Sequence, residues 1–303
     1  MSIDGKLFYN KSSAARLGWN PSWFNAKAFD ETLIKNIKKF QKEHELTADG
    51  LCGPMTYRRI NAEREFAHEM EERPDGNFIV CDGERVPIDW DTINILDRDN
   101  YALPANCYRS HKPKRRKISM IVTHWDVCLS ARSCQRVLKK KGISSHFVID
   151  NNGTICQMVD PQHEAWHAGI RKVNKASIGV DFSNGYYTKY NKYYRRKGFG
   201  ARPVLTEVPV HRSVLKEFLG YYPVQIQAYE VLLKFLHEHY GIPLECPLDD
   251  NNNLLNTVHP LARQGKFKGV VNHYHLTRKK IDCAGLKMDK ILQQVRESIE
   301  DDH

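Results

Sequence analysis

Two histidines follow segments that read as buried strands: His124 comes after ISMIVT (118–123) and His273 after KGVVN (268–272). An imidazole at a strand end is held by rigid backbone yet opens onto a cleft, which is what a metal ligand requires. Cys283 lies ten residues beyond His273, across the loop HYHLTRKKIDCAG. Two imidazoles and a thiolate would fill three corners of a tetrahedral zinc site and leave the fourth to water, the form of a hydrolytic zinc centre. The chain holds 14 histidines, and a single histidine after a strand is more often a surface or core residue than a ligand. The residues therefore permit a site of His124, His273 and Cys283 without singling it out.

The elements that would position this set begin at Ile118, where strand and helix signals alternate as in a mixed α/β domain. Residues 131–141 read as a helix, HFVID turns through Asn152-Gly153 into TICQMV as a hairpin, and SIGVDF (177–182) is a further strand. Residues 223–240 place Ile226, Tyr229, Leu232, Leu233, Leu236 and Tyr240 on one helical face, with Gly241 and Pro243 as stop signals. A closing helix starts near Leu286. Upstream, residues 31–44 put Leu33, Ile34, Ile37 and Phe40 on one face of an amphipathic helix, followed by an Asp49-Gly50 turn and a Gly53-Pro54 break. Ser12 or Ser13 is placed to cap a short helix through Leu17. The expected organisation is a helical unit over 1–65, an elaborated linker over 66–115 with a hairpin around Asp82-Gly83, and a catalytic domain over 116–303.

A length of 303 residues suits one sizeable core plus a smaller module. No apolar run reaches the ~20 residues that span a bilayer, and the opening MSIDGKLFYNKSS lacks a secretory apolar stretch, so stable membrane insertion is not expected and synthesis in the cytoplasm is. The eight cysteines form no CxxC pair, and most read as buried free thiols, with Cys283 and the pair Cys128 and Cys134 set apart. A net charge of +10 favours an anionic partner: nucleic acid, a membrane surface or acidic envelope polymers. Part of it lies in Lys114, Arg115, Arg116 and Lys117, and part in the tyrosine-rich stretch Tyr186 to Arg202. No nucleic-acid-binding module is recognisable, so nucleic acid is not expected as a partner.

The residues FQKEHELTADGLCGPMT (40–56) resemble the small three-helix peptidoglycan-binding module, whose signature is a helix ending in FQ and then DGxxGPxT. Further on, IVTHWD, HFVIDNNGTICQMVD, AWHAG, SIGVDFSNG and VVNHYHLTRKKIDCAG occur in the order found in type-2 N-acetylmuramoyl-L-alanine amidases, relatives of the peptidoglycan recognition proteins. This resemblance covers most of 118–298, apart from an insertion near 186–220. It implies an α/β fold with a mixed central sheet flanked by helices, a groove bearing Zn2+, and hydrolysis of the amide between N-acetylmuramic acid and L-alanine. The partners implied are the glycan strands and peptide stems of peptidoglycan, met by a monomer. A phage lysis enzyme is the first expectation for its setting; a wall-remodelling amidase and a non-catalytic recognition protein are the alternatives.

Position by position, the resemblance assigns His124, His273 and Cys283 as metal ligands, with Asp282 as the other choice for the third. Asp181 falls where many relatives have a proton-handling glutamate, and Ser145 where others have a tyrosine. The family's catalytic lysine lies two residues before the third ligand; counted from Cys283 that place is Ile281, which leaves Lys280 and then His275 to supply the cation. Trp166 and His167 would line the groove, and His146 would support the sheet or the ligands. The spacing CLSARSC (128–134) is similar to a disulfide loop of the animal relatives, whereas a reducing cytoplasm opposes a Cys128–Cys134 bridge.

Overall fold

The computed structural model describes residues 1–69, 76–96 and 102–301, and the chain divides into two compact units, Met1–Glu72 and Arg73–His303. In the first, helix α1 (Ile3–Leu17) is capped by the Ser2 hydroxyl, which accepts from the Gly5 N–H, and stops at Gly18 in the left-handed conformation. Ser13 is no cap. It lies inside α1, buried, with its hydroxyl donating to the Cys52 carbonyl. Helix α2 (Glu31–Glu43) starts at the Asp30 cap and buries Leu33 and Ile37 in a cluster with Trp19, Phe24 and Ile60. Helix α3 spans Pro54–Glu69.

The FQ…DGxxGPxT pattern has a structural cause. The Gln41 side chain is 1% exposed and accepts from Gly50 N–H at 2.8 Å while its amide donates to Asp49 Oδ1, the Leu51 carbonyl and Thr56 Oγ1 at 2.8–3.1 Å. Gly50 (φ 77°) is required twice over, because a Cβ there would also stand 2.8 Å from Ile34 Cγ2.

The second unit is built on a seven-stranded sheet. Its strands in chain order are β1 (Gly76–Cys81), β2 (Glu84–Asn94), β3 (Met120–Trp125), β4 (Phe147–Ile149), β5 (Ile155–Gln157) and β6 (Ser177–Phe182), with a last strand at Gly269–Asn272; spatially they run β1, β2, β5, β4, β6, β3, then Gly269–Asn272. The central neighbours β4, β6, β3 and Gly269–Asn272 are parallel. Ile121, Val122, Ile178, Val180, Val270 and Val271 are at most 1% exposed, the continuous apolar texture of strands covered on both faces. Ile121 and Trp125 face helices α5 (Pro223–Tyr240) and α6 (Met288–Asp301), and α4 (Ala131–Lys141) packs beside Val148 and Cys156. Met120 and Val122 face the other way, toward Ala168 and Val173, and alternation places His124 on that second face.

The sheet reaches further upstream than the sequence suggests. The hairpin around Asp82-Gly83 forms, but β2 pairs in parallel with β5, so residues 76–94 are the outer two strands of the main sheet, not linker. Along β2, Val86, Ile88, Trp90 and Thr92 turn inward between exposed Pro87, Asp89 and Asp91, a one-faced alternation that a separate hairpin would share and that does not reveal the pairing with β5. Cys134 sits against Cys128 with its thiol pushed well up by a hydrogen bond to Cys128 and by burial, and the two are not bridged. Among the described residues no helix is long and apolar enough to cross a membrane.

Candidate metal centre

The parallel register sets Asn272 beside Thr123, so the next residues stand at one level: His273 just past its strand and His124 next to last in β3. On the other side of β3, Asp181 stands opposite His124. The chain after His273 makes a short 3-10 turn (His273–His275) and a loop whose Asp282 carbonyl accepts from the Tyr274 N–H at 2.9 Å, which brings residue 282 back under the strand ends. There Asp282 Oδ2 lies 2.9 Å from His273 Nδ1 and 3.2 Å from His124 Nδ1, and the two Nδ1 atoms are 2.9 Å apart. All three side chains are buried, at 4–6% exposure.

Three lone-pair atoms converging at such distances fit a divalent cation better than they fit one another, and two imidazole nitrogens with one carboxylate oxygen are a donor set that suits zinc. The proton arrangement behind them agrees. Ser177 Oγ donates to the Val173 carbonyl at 2.7 Å and so accepts from His167 Nε2–H at 3.2 Å; His167 Nδ1 is then an acceptor for His124 Nε2–H at 3.0 Å. This chain leaves the His124 Nδ1 lone pair facing the cluster. Burial holds His167 well below the usual histidine range, with the neighbouring His124 charge adding to it, so His167 stays neutral. Room for the His167 ring exists because position 179 is glycine: a Cβ there would come within 2.6 Å of His167 Cγ.

Burial alone would raise the Asp282 carboxyl, but the His273 charge and the two adjoining imidazoles hold it well below the ordinary carboxylate range. His273 is lowered by burial, partly offset by Asp282. Asp181 is 8% exposed and shifts upward through burial, against the pull of His124 and a hydrogen bond from Ser145, with Asp282 adding to the rise. A carboxylate moved toward neutrality beside a cation site is suited to proton transfer.

The side chain that converges with the two histidines is thus Asp282, where Cys283 was expected. Cys283 is fully buried in the apolar core with Tyr229, Leu286 and Met288, next to the Tyr221 hydroxyl, and burial together with the Asp282 charge drives its thiol well up. A thiol that resists ionisation is a poor zinc ligand. Counted from Asp282, the position two residues earlier is Lys280. Lys280 is exposed, and its charge contributes to lowering His273.

His275 does not serve as a loop cation. It is fully buried, its Nδ1 accepts from the Asn272 N–H at 3.0 Å, its Nε2 donates to the Leu255 carbonyl at 2.6 Å, and burial lowers it to about 3, so it stays neutral. His167 stands behind His124 as its hydrogen-bond partner, while Trp166 is half-buried and fixed through its backbone to Ser144. His146 braces the sheet: Nδ1 accepts from the Gly179 N–H at 2.9 Å and Nε2 meets the His163 carbonyl at 3.0 Å. Arg116, one of the four basic residues at 114–117, turns inward and donates to the carbonyls of Pro161, His163, Asn174 and Ser177, with burial lowering it to about 10. Sequence reasoning missed the Ser177–His167 relay, and no local pattern marks a serine ten residues from its histidine.

No curated protein matches the chain in sequence. Among solved structures it is similar to the catalytic domain of XlyA, with 18% identity and a TM-score of 0.38 over 68% of this chain and 99% of that one. A second is the endolysin N-acetylmuramoyl-L-alanine amidase LysCS from Clostridium intestinale URNW, with 14% identity and a TM-score of 0.40 over 68% and 95%. A third is AmiD from E. coli in complex with anhydro-N-acetylmuramic acid-L-Ala-D-gamma-Glu-L-Lys, with 26% identity and a TM-score of 0.30 over 45% and 49%. Residues 114–282 match the family described as N-acetylmuramoyl-L-alanine amidase, a span of more than half the chain. This chain belongs to the N-acetylmuramoyl-L-alanine amidase family.

Proposed function

We propose that the protein is a zinc-dependent hydrolase of the amide between N-acetylmuramic acid and L-alanine, acting on the bacterial wall as a monomeric lysis enzyme. The observation that supports it is the convergence of His124 Nδ1, His273 Nδ1 and Asp282 Oδ2 within 3.2 Å of one another. In this reading those three residues hold Zn2+, which supplies Lewis acidity to a carbonyl oxygen and to water.

The remaining steps fall to the chain's own groups. Asp181 accepts a proton from the water that attacks the carbonyl carbon and returns it to the amide nitrogen as the C–N bond breaks, giving a carboxylic acid and a free L-alanine amine. Lys280 meets the negative charge that develops on the carbonyl oxygen. The His167–Ser177 relay keeps His124 in the tautomer that directs Nδ1 toward the cation. Trp166 offers an apolar wall to the substrate. The Met1–Glu72 unit acts as a tether to the insoluble polymer, supported by its peptidoglycan-binding signature, and raises the local concentration of cleavable bonds.

Mass spectrometry of purified peptidoglycan after incubation tests this reading. New glycan strands lacking stems, together with peptides carrying a free L-alanine N-terminus, are expected; a chelator should abolish them and added zinc restore them. Unchanged peptidoglycan at full zinc loading, or cleavage indifferent to the chelator, would overturn it.

A further inference from the structure

The segment between β6 and α5, residues 186–220, takes no part in the chemistry just described. It contains two small ladders: Val204–Leu205 pairs with Phe218–Leu219, and Val208–Val210 pairs with Ser213–Leu215 as a hairpin. The hairpin turn carries His211 at φ 57°, with its backbone N–H on the Asn256 carbonyl at 2.7 Å. His211 Nε2 donates to the backbone carbonyl of Lys280 at 2.8 Å, and Nδ1 is 3.3 Å from the Thr257 hydroxyl, which is then the donor to it. At the far end of the same loop, Gly285 lies so close to the insertion that a Cβ would stand 2.7 Å from Leu205 Cδ1. The insertion therefore holds the loop on both sides of Asp282, at residue 280 through a hydrogen bond and at residue 285 through packing.

From this clasp we infer that His211 is a positioning residue for the amidase reaction, fixing the peptide from which the Lys280 side chain projects. The inference rests on the function proposed above. Lysine places its charge on a flexible four-carbon stem, so the ammonium is only as well aimed as the backbone at its root. The described backbone bond at Lys280 is a turn contact from its N–H to Thr277 O at 3.3 Å, weaker than the His211 bond to its carbonyl. Misplacing a catalytic group by about 1 Å costs up to about 100-fold in rate.

The test uses full-length, zinc-loaded protein and a soluble muropeptide, with His211→Ala, His211→Gln, Lys280→Ala and the double variant of His211→Ala with Lys280→Ala. Glutamine reaches about as far as Nε2 and keeps a donor. His211→Ala should lower kcat by roughly 10-fold or more with KM within about 2-fold and zinc content unchanged, and His211→Gln should recover most of the loss. In the Lys280→Ala background, His211→Ala should add less than about 2-fold. Hydrogen exchange of amides 277–281 should quicken in His211→Ala and return in His211→Gln. Equal losses in both backgrounds, no rescue by glutamine, no effect of Lys280→Ala, or unchanged exchange would each overturn the positioning role. A zinc-loaded wild type that fails to cleave the muropeptide would sink the amidase reading and the positioning role together; an active wild type with any of the preceding results sinks the role of His211 alone.

Discussion

Asp282 and Cys283 are neighbours in the chain whose side chains serve opposite environments: Oδ2 of the carboxylate lies 2.9 and 3.2 Å from two imidazole nitrogens, and the thiol is fully buried among core hydrophobes. Their substitutions should separate cleanly. Asp282→Ala is expected to lose bound zinc and activity together. Cys283→Ala should keep a full equivalent of zinc and lose on the order of 1 kcal/mol of stability through the small cavity it leaves. Elemental analysis of the purified variants, with urea unfolding alongside, distinguishes the two, and loss of metal from Cys283→Ala would return the sulfur to the ligand set.

The relay behind His124 predicts an effect on affinity at a distance from the metal. His167→Ala should weaken zinc binding by about 10–100-fold, since nothing then fixes the His124 tautomer. Ser177→Ala should do the same more mildly, because its hydroxyl acts through His167. Competition with a fluorescent zinc chelator measures both, and an unchanged dissociation constant for His167→Ala would show that the relay is only packing.

His146 gives the fold a pH dependence of known sign. Burial, with the Arg116 charge adding, holds its pKa well below the ordinary histidine value, so the folded protein keeps it neutral where the unfolded chain takes a proton. A depressed pKa of this kind contributes stability that is fully present above about pH 6.5 and is lost as pH falls below it, at up to about 1.4 kcal/mol per pH unit for one proton. His146→Gln should be less stable at pH 7.5 yet show a shallower decline between pH 6.5 and 5. Urea midpoints across that range check the slope, and parallel wild-type and variant curves would dismiss His146 as the cause.

Arg202 ties the insertion to the sheet. It is 2% exposed, donates to the Gly220 and Ser183 carbonyls, Gln225 Oε1 and Asn151 Oδ1 at 2.6–3.0 Å, and lies over the rings of Tyr194 and Tyr222. Arg202→Met strands those acceptors and should cost about 3–5 kcal/mol. Arg202→Lys should recover little, because a point charge cannot reproduce the fork. Chemical denaturation gives the values directly.

Periodicity alone made the central elements legible: SIGVDF, the helix at 131–141 and the helix at 223–240 fall on the observed bounds, because apolar runs flanked by glycine, proline and polar turns leave few alternatives. The two converging histidines were legible for a related reason, as each sits at the far end of an apolar run. The third member of the cluster was not. Asp282 and Cys283 differ by half a turn of extended chain, and which of them points at the imidazoles depends on how the loop returns under the strands, a long-range matter that adjacent letters do not encode. His275 misled for the same reason: among basic neighbours it reads as a cation, yet the loop folds it onto the Leu255 carbonyl. The role of His211 had no local signal, since its partner lies 69 positions away.

The hairpin β1–β2 has a practical consequence for anyone dissecting the chain. The family match covers 114–282, but the sheet begins at Gly76 and the last core helix ends at Asp301. A fragment cut to the family limits would leave β5 with a naked rim on the side where β2 belongs, and would uncover the apolar surface that Met288, Ile291, Leu292 and Val295 now close. Such an unpaired, hydrophobic border is an invitation to self-association. A soluble recombinant core is therefore expected from boundaries near 73 and 303, and inclusion bodies from the shorter cut.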